Sequence, residues 1–411
     1  MIQQQALIRH RRLISGNILG AHVVEHILGP STVAVLIPIL YAEFGLTGLQ
    51  AGLFETVRSI GGATASFLIG IVSDLFAHRR ALILVLAITF LGLFYFLLGF
   101  SPSYGFALAA ILPAGMCAAM WHAPALASMS QLYPERRGLA LSAHQSAGNV
   151  GDFLGPVILG FALVTFTWRQ TAHLALPLTM VVGLVLALAL WSKSFGERRS
   201  GDFGTELKQQ LGDIALALQN RTLLMLVLVT GTRGLGSRAM AIFLALYLSQ
   251  DLGMSTPLVG LHVGLLALLG VIFGPVLGAL SDRIGRKPVL LICLSAHVVF
   301  PIIIAWAGGG IGLTVAVALL GIFALVPQAL MQAAAADTIK GLRVHASVMG
   351  LLWGNQVLFG AIAPLLGGLV ADLFGFRAVF YYIAAMTAVS MLLVLTVPME
   401  RPSSYEPAVS P

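Results

Sequence analysis

The segment Gly70-Ile71-Val72-Ser73-Asp74 returns as Gly278-Ala279-Leu280-Ser281-Asp282, 208 positions later (278 − 70) in a chain of 411 residues. The same shift carries Gly45 onto Gly253, Gly52 onto Gly260, Gly62 onto Gly270, Pro156 onto Pro364, Gly160 onto Gly368 and Arg169 onto Arg377. A register that holds across each half marks a duplication rather than a chance motif. Apolar residues make up 58 % of the chain and charged residues 9 %, against roughly 25 % charged in an average soluble domain. Two equal halves of that composition imply two bundles of membrane helices with a binding crevice between them.

A bilayer core needs about 20 apolar residues per spanning helix. Runs of that kind lie at 14–40, 47–76, 81–101, 105–131, 139–165, 171–193, 221–249, 257–281, 288–308, 311–336, 345–371 and 376–398. The expected fold is therefore an all-α membrane protein of twelve transmembrane helices in two pseudo-symmetric six-helix bundles, 1–193 and 221–398. An even number of helices per half makes the repeats parallel, related by an axis along the membrane normal. The polar stretch 194–220 is read as a cytoplasmic linker with a short surface helix around 205–218, and the Pro- and Ser-rich end, 399–411, as a disordered tail. Met1 to Arg12 is too polar and short for a cleaved signal peptide. Cys117 and Cys293 lie inside apolar runs and read as small buried hydrophobes.

The net charge of +7 reports topology rather than a polyanion partner. Eighteen Lys and Arg residues fall in the loops on one side, among them Arg9, Arg79, Arg136, Lys208, Arg283 and Arg343, and only Arg169 and Arg377 in the alternate loops. That bias places both termini in the cytoplasm, in a multi-pass protein of the cell (inner) membrane. No nucleic-acid partner is needed to explain it.

With these residues on the page, the chain resembles the major facilitator superfamily of secondary transporters over nearly its whole length. Gly278-Ala279-Leu280-Ser281-Asp282-Arg283-Ile284-Gly285-Arg286-Lys287 is similar to the signature between two helices of a bundle. The first copy keeps Gly70 and Asp74 but has Leu75 for the arginine and Ala77 for the glycine. The resemblance implies a cytoplasmic gate built from Asp74, Asp282, Arg283, Arg286 and Lys287. Gly151 to Gly160 is similar to the glycine–proline motif of exporters on their fifth helix, giving Gly155 and Pro156 a gating role. Plain helix packing is the other reading, favoured by the echo at Pro364, Gly367 and Gly368. Trp121-His122, Arg136-Arg137-Gly138-Leu139-Ala140 and Gly148-Asn149-Val150-Gly151 resemble the fosmidomycin-resistance type of efflux protein. The chain departs from it with Ala123 and Pro124 after His122, and with His26 where that type has an acid.

A charge at mid-bilayer costs about 2.5–3.5 kcal/mol even on insertion scales, so each intramembrane charge needs a reason. Glu25, Glu55 and Asp152 are the acids within the runs, and Arg58, Arg233 and Arg238 the bases. Glu55 and Arg58, three apart, share a helix face and can be a structural pair. His22, Glu25 and His26 also share a face. The resemblance makes the first, fourth, seventh and tenth helices line the cavity. Glu25 is then the proton carrier, with His22, His26 and Asp152 as its coupling partners. Arg233, with Arg58 or Arg238, would hold an anionic group, and His122, Gln328, Gln332, Asn149 and Asn355 would face the same space. His144, Gln145 and Gln356 lie within reach of it, whereas His262 and His297 read as packing histidines.

His22 and His26 with Glu25 also make a plausible transition-metal set, but no further ligand cluster in the sequence completes it, and no metal is assigned. The expectation is a proton-coupled transporter, an exporter of a drug or small anionic compound such as a phosphonate or organic acid. It would work as a monomer by alternating access, with no cofactor beyond the proton gradient. A proton symporter importing an organic anion is the alternative, followed by a transition-metal transporter or a non-transporting membrane sensor. No phosphate loop, serine elbow or metal-hydrolase spacing supports an enzyme.

Overall fold

The protein was described from a computed structural model, which covers residues 10–190, 195, 203–217, 219–324, 326–338 and 345–399. Most of 194–202 at the start of the linker, and the tail from 400 to 411, lie outside the described residues. So do the side chains of Asp74 and Gln356.

Every regular element among the described residues is helical. The first half contains α1 (Arg11–Ile27), α2 (Pro30–Phe44), α3 (Gly48–Leu75), α4 (Arg80–Leu98), α5 (Tyr104–Leu132), α6 (Arg137–Ala162) and α7 (Trp168–Leu190). Helix α8 (Phe203–Ala217) occupies the linker, where a surface helix is expected, and packs against α3 and α15 (His345–Phe374). The second half contains α9 (Arg221–Ser237), α10 (Met240–Leu246), α11 (Thr256–Ile284), α12 (Arg286–Trp306), α13 (Ile311–Ala324), α14 (Val326–Thr338), α15 and α16 (Phe376–Thr396). Each of the twelve apolar runs corresponds to one helix or to two in succession: α1–α2 form span 1, α9–α10 span 7, and α13–α14 span 10.

Eight of these helical stretches are long and apolar enough to cross a membrane by length and composition. Spans 2, 5, 7 and 11 are not among these eight over the described residues. Glu55 and Arg58 sit in α3, His144 and Asp152 in α6, and Arg233 in α9.

Packing repeats with the sequence. Span 1 lies on span 5 as span 7 lies on span 11, span 2 on span 4 as 8 on 10, and span 3 on span 6 as 9 on 12. Between the halves, α3 meets α15 and α6 meets α11, so one contact is made twice. Its atoms are the duplicated ones. A Cβ at Gly52 would stand 1.9 Å from the Pro364 carbonyl oxygen, and one at Gly260 would stand 2.2 Å from that of Pro156. Gly160 likewise faces the Thr256 carbonyl, and Gly368 that of Gly48. Small residues let backbones approach this closely in lipid, where helices associate by close packing rather than by the hydrophobic effect.

The connections that follow spans 1 and 7 repeat too. Gly45 and Gly253 both adopt the left-handed conformation, with φ of 59° and 61°, which a Cβ would resist. Glu43 binds Arg169, and their equivalents Asp251 and Arg377 attract one another. One outer feature is not repeated. Asp372, whose equivalent is Val164, accepts hydrogen bonds from the N–H groups of Gly48 (2.5 Å) and Leu49 (2.9 Å). Thr47 and Gln50 complete a reciprocal cap on the same helix, so the exposed donors at the start of α3 are met from both halves.

Candidate proton and substrate site

Span 1 breaks at Gly29-Pro30. Proline has no N–H to give and disfavours helical geometry in the residue before it. Helix α1 accordingly ends at Ile27, and Gly29 is extended before Pro30 restarts the helix. The carbonyls released by the break are satisfied from outside. Thr32 Oγ1 donates to Ile27 O at 2.6 Å, and the Tyr95 hydroxyl to Leu28 O at 2.5 Å. His22, Glu25 and His26 lie in the closing turns of α1, where the partial negative charge of the helix end favours cations.

Helix α6 accommodates them with a face of small residues. A Cβ at Gly148 would lie 2.8 Å from His26 Nε2 and 2.9 Å from His22 Nε2. At Gly151 it would meet the Val23 carbonyl oxygen at 2.4 Å, and at Gly155 Thr32 Oγ1 at 2.1 Å. Glycines three and four apart share one side of the helix, and span 1 is pressed into that side. Pro156 follows, turning its carbonyl towards Gly260 of the other half. Gly155 and Pro156 therefore stand where span 1, span 5 and span 8 converge.

The resulting cluster gathers four of the chain's ten histidines. His22 Nδ1 lies 3.3 Å from Glu25 Oε2, His26 Nε2 lies 3.5 Å from the same oxygen, and His26 Nδ1 lies 3.1 Å from Asp152 Oδ2. His122 joins from α5 with its ring 5.4 Å from that of His22, and His144 from α6 stacks on His22 at 3.7 Å. Trp121 covers the other side of His22 at 6.2 Å. His22 Nδ1, Glu25 Oε2, Asp152 Oδ1 and both nitrogens of His144 are buried without a hydrogen-bond partner. Buried polar atoms are ordinarily paired, so this many unpaired atoms in one place single the cluster out as the candidate site.

The arginines divide. Arg58 grips Glu55 with Nε (2.6 Å) and Nη2 (2.5 Å), and Ser59 Oγ donates to the same carboxylate at 3.0 Å. That fork is committed to Glu55. Arg233 is 5 % exposed and uses Nη2 on the Ala324 carbonyl at 3.0 Å, leaving Nε and Nη1 unpartnered. It lies in the interior of the second bundle, near Cys293 and His297. Arg238, at the end of α9, interacts electrostatically with Glu55, Arg58 and Asp152 of the first half. It is the arginine that reaches across.

The register adds a relation that inspection of motifs misses: 233 − 25 = 208, so Glu25 and Arg233 occupy equivalent positions of the two halves with opposite charge.

The other polar candidates are spread more widely. Asn149 is buried beside Glu25's helix and accepts from Gln145 Nε2 at 3.2 Å. Asn355 ties span 11 to span 7 through the Val227 carbonyl at 2.7 Å. Both polar atoms of the Gln328 side chain are buried and unpartnered, and Gln332 is half-buried on the same helix. His262 is satisfied by Leu258 O (2.7 Å) and Thr314 Oγ1 (2.9 Å), and His297 by Cys293 O (2.8 Å). In the second-half signature, Arg286 Nη1 donates to Asp282 Oδ1 at 3.4 Å, and Lys287 Nζ caps the last helix through Leu395 O and Val397 O. Arg283 is exposed. Tyr95 and Asp372 were not singled out from the sequence. Nothing in their neighbours along the chain shows the broken span that the one serves or the opposing helix start that the other caps.

Buried ionisable groups on a broken helix, inside two like-built bundles of membrane helices, define a class: a multi-pass membrane transporter for small molecules, not an enzyme. The chain belongs to the Major Facilitator Superfamily, whose sequence profile matches residues 26–232 and again 226–410. It is similar to the fosmidomycin resistance protein of Escherichia coli K12, with 24 % identity over 387 residues and 92 % of each chain covered. It is also similar to the multi-drug resistance efflux pump PmrA of Streptococcus pneumoniae, with 26 % identity over 380 residues, covering 89 % of this chain and 91 % of that one. Among solved structures, nucleoside transporter NupG in a mutant form superposes with a TM-score of 0.79 at 14 % identity, over 93 % of this chain and 99 % of that one.

Proposed function

We propose that this protein is a proton-coupled exporter of a drug or small anionic compound, of the phosphonate or organic-acid kind, working as a single chain by alternating access. The observation that carries the reading is Glu25, buried at 4 % exposure with an unpartnered oxygen among His22, His26 and His122. A buried carboxylate within reach of three imidazoles has neighbours to which it can pass a proton, as a coupling residue requires. The relatives named as resistance and efflux proteins support the outward direction.

The binding charge in this scheme is cationic. Arg238 interacts electrostatically with Asp152 and Glu55 of the first half, and Arg233 keeps two unpartnered donors. A guanidinium matches phosphonate and carboxylate geometry.

The state described is closed at the outer end. The cross-half contacts at Gly48, Gly52, Thr56, Gly260 and Gly160 all lie towards the ends that the charge bias places outside, whereas Gly70, Gly274 and Gly278 at the opposite ends meet no described residue within 4 Å. Both termini are then cytoplasmic, in the cell (inner) membrane, and the site is loaded from inside.

The test is substrate-evoked pH change in inside-out vesicles, with fosmidomycin and a panel of phosphonates, organic acids and neutral lipophilic drugs. Export against protons releases protons from the vesicle lumen, whereas import by symport gives the opposite sign. Glu25→Gln should abolish the pH change, and Arg238→Ala should weaken binding of the anionic members only. An unchanged proton signal in Glu25→Gln would refute the coupling assignment.

A further inference from the structure

We propose that the histidine cluster of the first bundle is a binding site for a divalent transition-metal ion, with His22, Glu25, His26 and His122 as ligands. One donor atom from each of these four residues lies within 4.8 Å of the others. The sequence offered only the trio on α1 and no residue to complete it. The fold supplies the fourth ligand from α5, whose position 122 faces α1 only after the helices pack.

Two of the six donor–donor distances already match those around a bound ion, and all lie within 4.8 Å. Four ligands at zinc's usual 2.0–2.1 Å stand about 3.3 Å apart on the edges of a tetrahedron. His22 Nδ1 and His26 Nε2 are 3.3 Å and 3.5 Å from Glu25 Oε2. Yet His22 Nδ1 and Glu25 Oε2 make no hydrogen bond. Donor atoms that converge without bonding one another are free to share one ion.

The surroundings match what metal-ligating histidines need. Such an imidazole usually hands its second nitrogen to a carboxylate, which fixes the ring and raises its basicity. His26 faces Asp152 with Nδ1 at 3.1 Å and so presents Nε2 to the cluster. Gly148 leaves room for both rings, since a Cβ there would lie 2.8 Å from His26 Nε2 and 2.9 Å from His22 Nε2. Three imidazoles and a carboxylate, with no thiolate, suit borderline ions such as Zn²⁺, Co²⁺ and Ni²⁺ rather than Cu⁺ or Mg²⁺.

This site uses the residues of the proposed proton pathway but does not rest on transport. Metal and protons compete for the same atoms, because ligands bind metal only when deprotonated. Bound Zn²⁺ therefore excludes protons from Glu25.

The experiment is titration of the purified full chain, carrying no polyhistidine tag, with Co²⁺ alone and with Zn²⁺ alone. It is read by visible d–d absorption and by calorimetry. One Co²⁺ per chain with bands of a low-coordinate site is expected, displaced by Zn²⁺ and weakening as pH falls through the imidazole range. His122→Gln should abolish the bands, and Asp152→Asn should weaken binding by about 10- to 100-fold. His262→Gln, outside the cluster, should do neither. Folding of each variant is checked by its metal-free melting temperature and elution volume. Absence of saturable binding, or binding that survives in folded His122→Gln, overturns the proposal. Either result leaves the vesicle measurement of proton coupling untouched.

Discussion

Substituting Gly52 or Gly260 by alanine tests whether the two halves close as rigid bodies through a duplicated contact. A methyl at position 52 would lie 1.9 Å from the Pro364 carbonyl oxygen, and one at position 260 would lie 2.2 Å from that of Pro156. A carbon–oxygen contact of this kind settles near 3.3 Å, so the helices must part by about 1.4 Å and about 1.1 Å respectively. Overpacking of that order costs about 1–3 kcal/mol, and only in the outer-closed state, where these helices touch. The gain in helix propensity of about 1 kcal/mol is present in both states and cancels. The ratio of outer-open to outer-closed molecules should rise about 5- to 150-fold. If both contacts open in one movement, the double variant should shift it by less than the sum of the singles. Spin labels at Pro102→Cys and Gly309→Cys, on outer loops of the two halves, report the separation once the buried Cys117 and Cys293 are replaced. A new, longer distance component is expected in each single variant. Unchanged distance distributions in both would refute the closed-contact argument.

Three further outcomes follow from the same packing. Gly148→Ala should displace both His22 and His26 and remove proton coupling, while Gly20→Ala on the same pair of spans, with nothing within 4 Å of its Cβ position, leaves it intact; vesicle pH recordings separate the two. Asp372→Asn removes the negative charge from the start of α3 and should lower stability by about 1 kcal/mol, seen as a lower melting temperature and a larger outer-open population. Tyr95→Phe leaves the Leu28 carbonyl at the break of span 1 without its donor, at a cost of about 1–3 kcal/mol in the melt.

Much of the architecture was legible because its causes are local or periodic. Apolar runs of bilayer length, the 208-residue register, Gly29-Pro30 and the one-sided arginines are all properties of neighbouring or regularly spaced residues. Glu25, His22 and His26 stood out for the same reason: charge in an apolar run is visible wherever it occurs. The Glu55–Arg58 pair was visible as a spacing of three. What these groups face was not visible, since His122 and His144 are about a hundred residues away and reach His22 only through helix packing.

The sequence alone thus determined that this chain is a duplicated, twelve-span membrane protein with ionisable groups in its first and seventh spans, because hydropathy, helix breaking and repetition are written residue by residue. Tertiary structure decided which of those groups meet. It committed Arg58 to Glu55, left Arg233 with two unpartnered donors, assembled three imidazoles around one carboxylate, and set Asp372 on the start of a helix more than three hundred positions away. The physical reason is that partnership between buried polar groups depends on distance and direction across packed helices, and these are fixed by where glycines let two backbones touch.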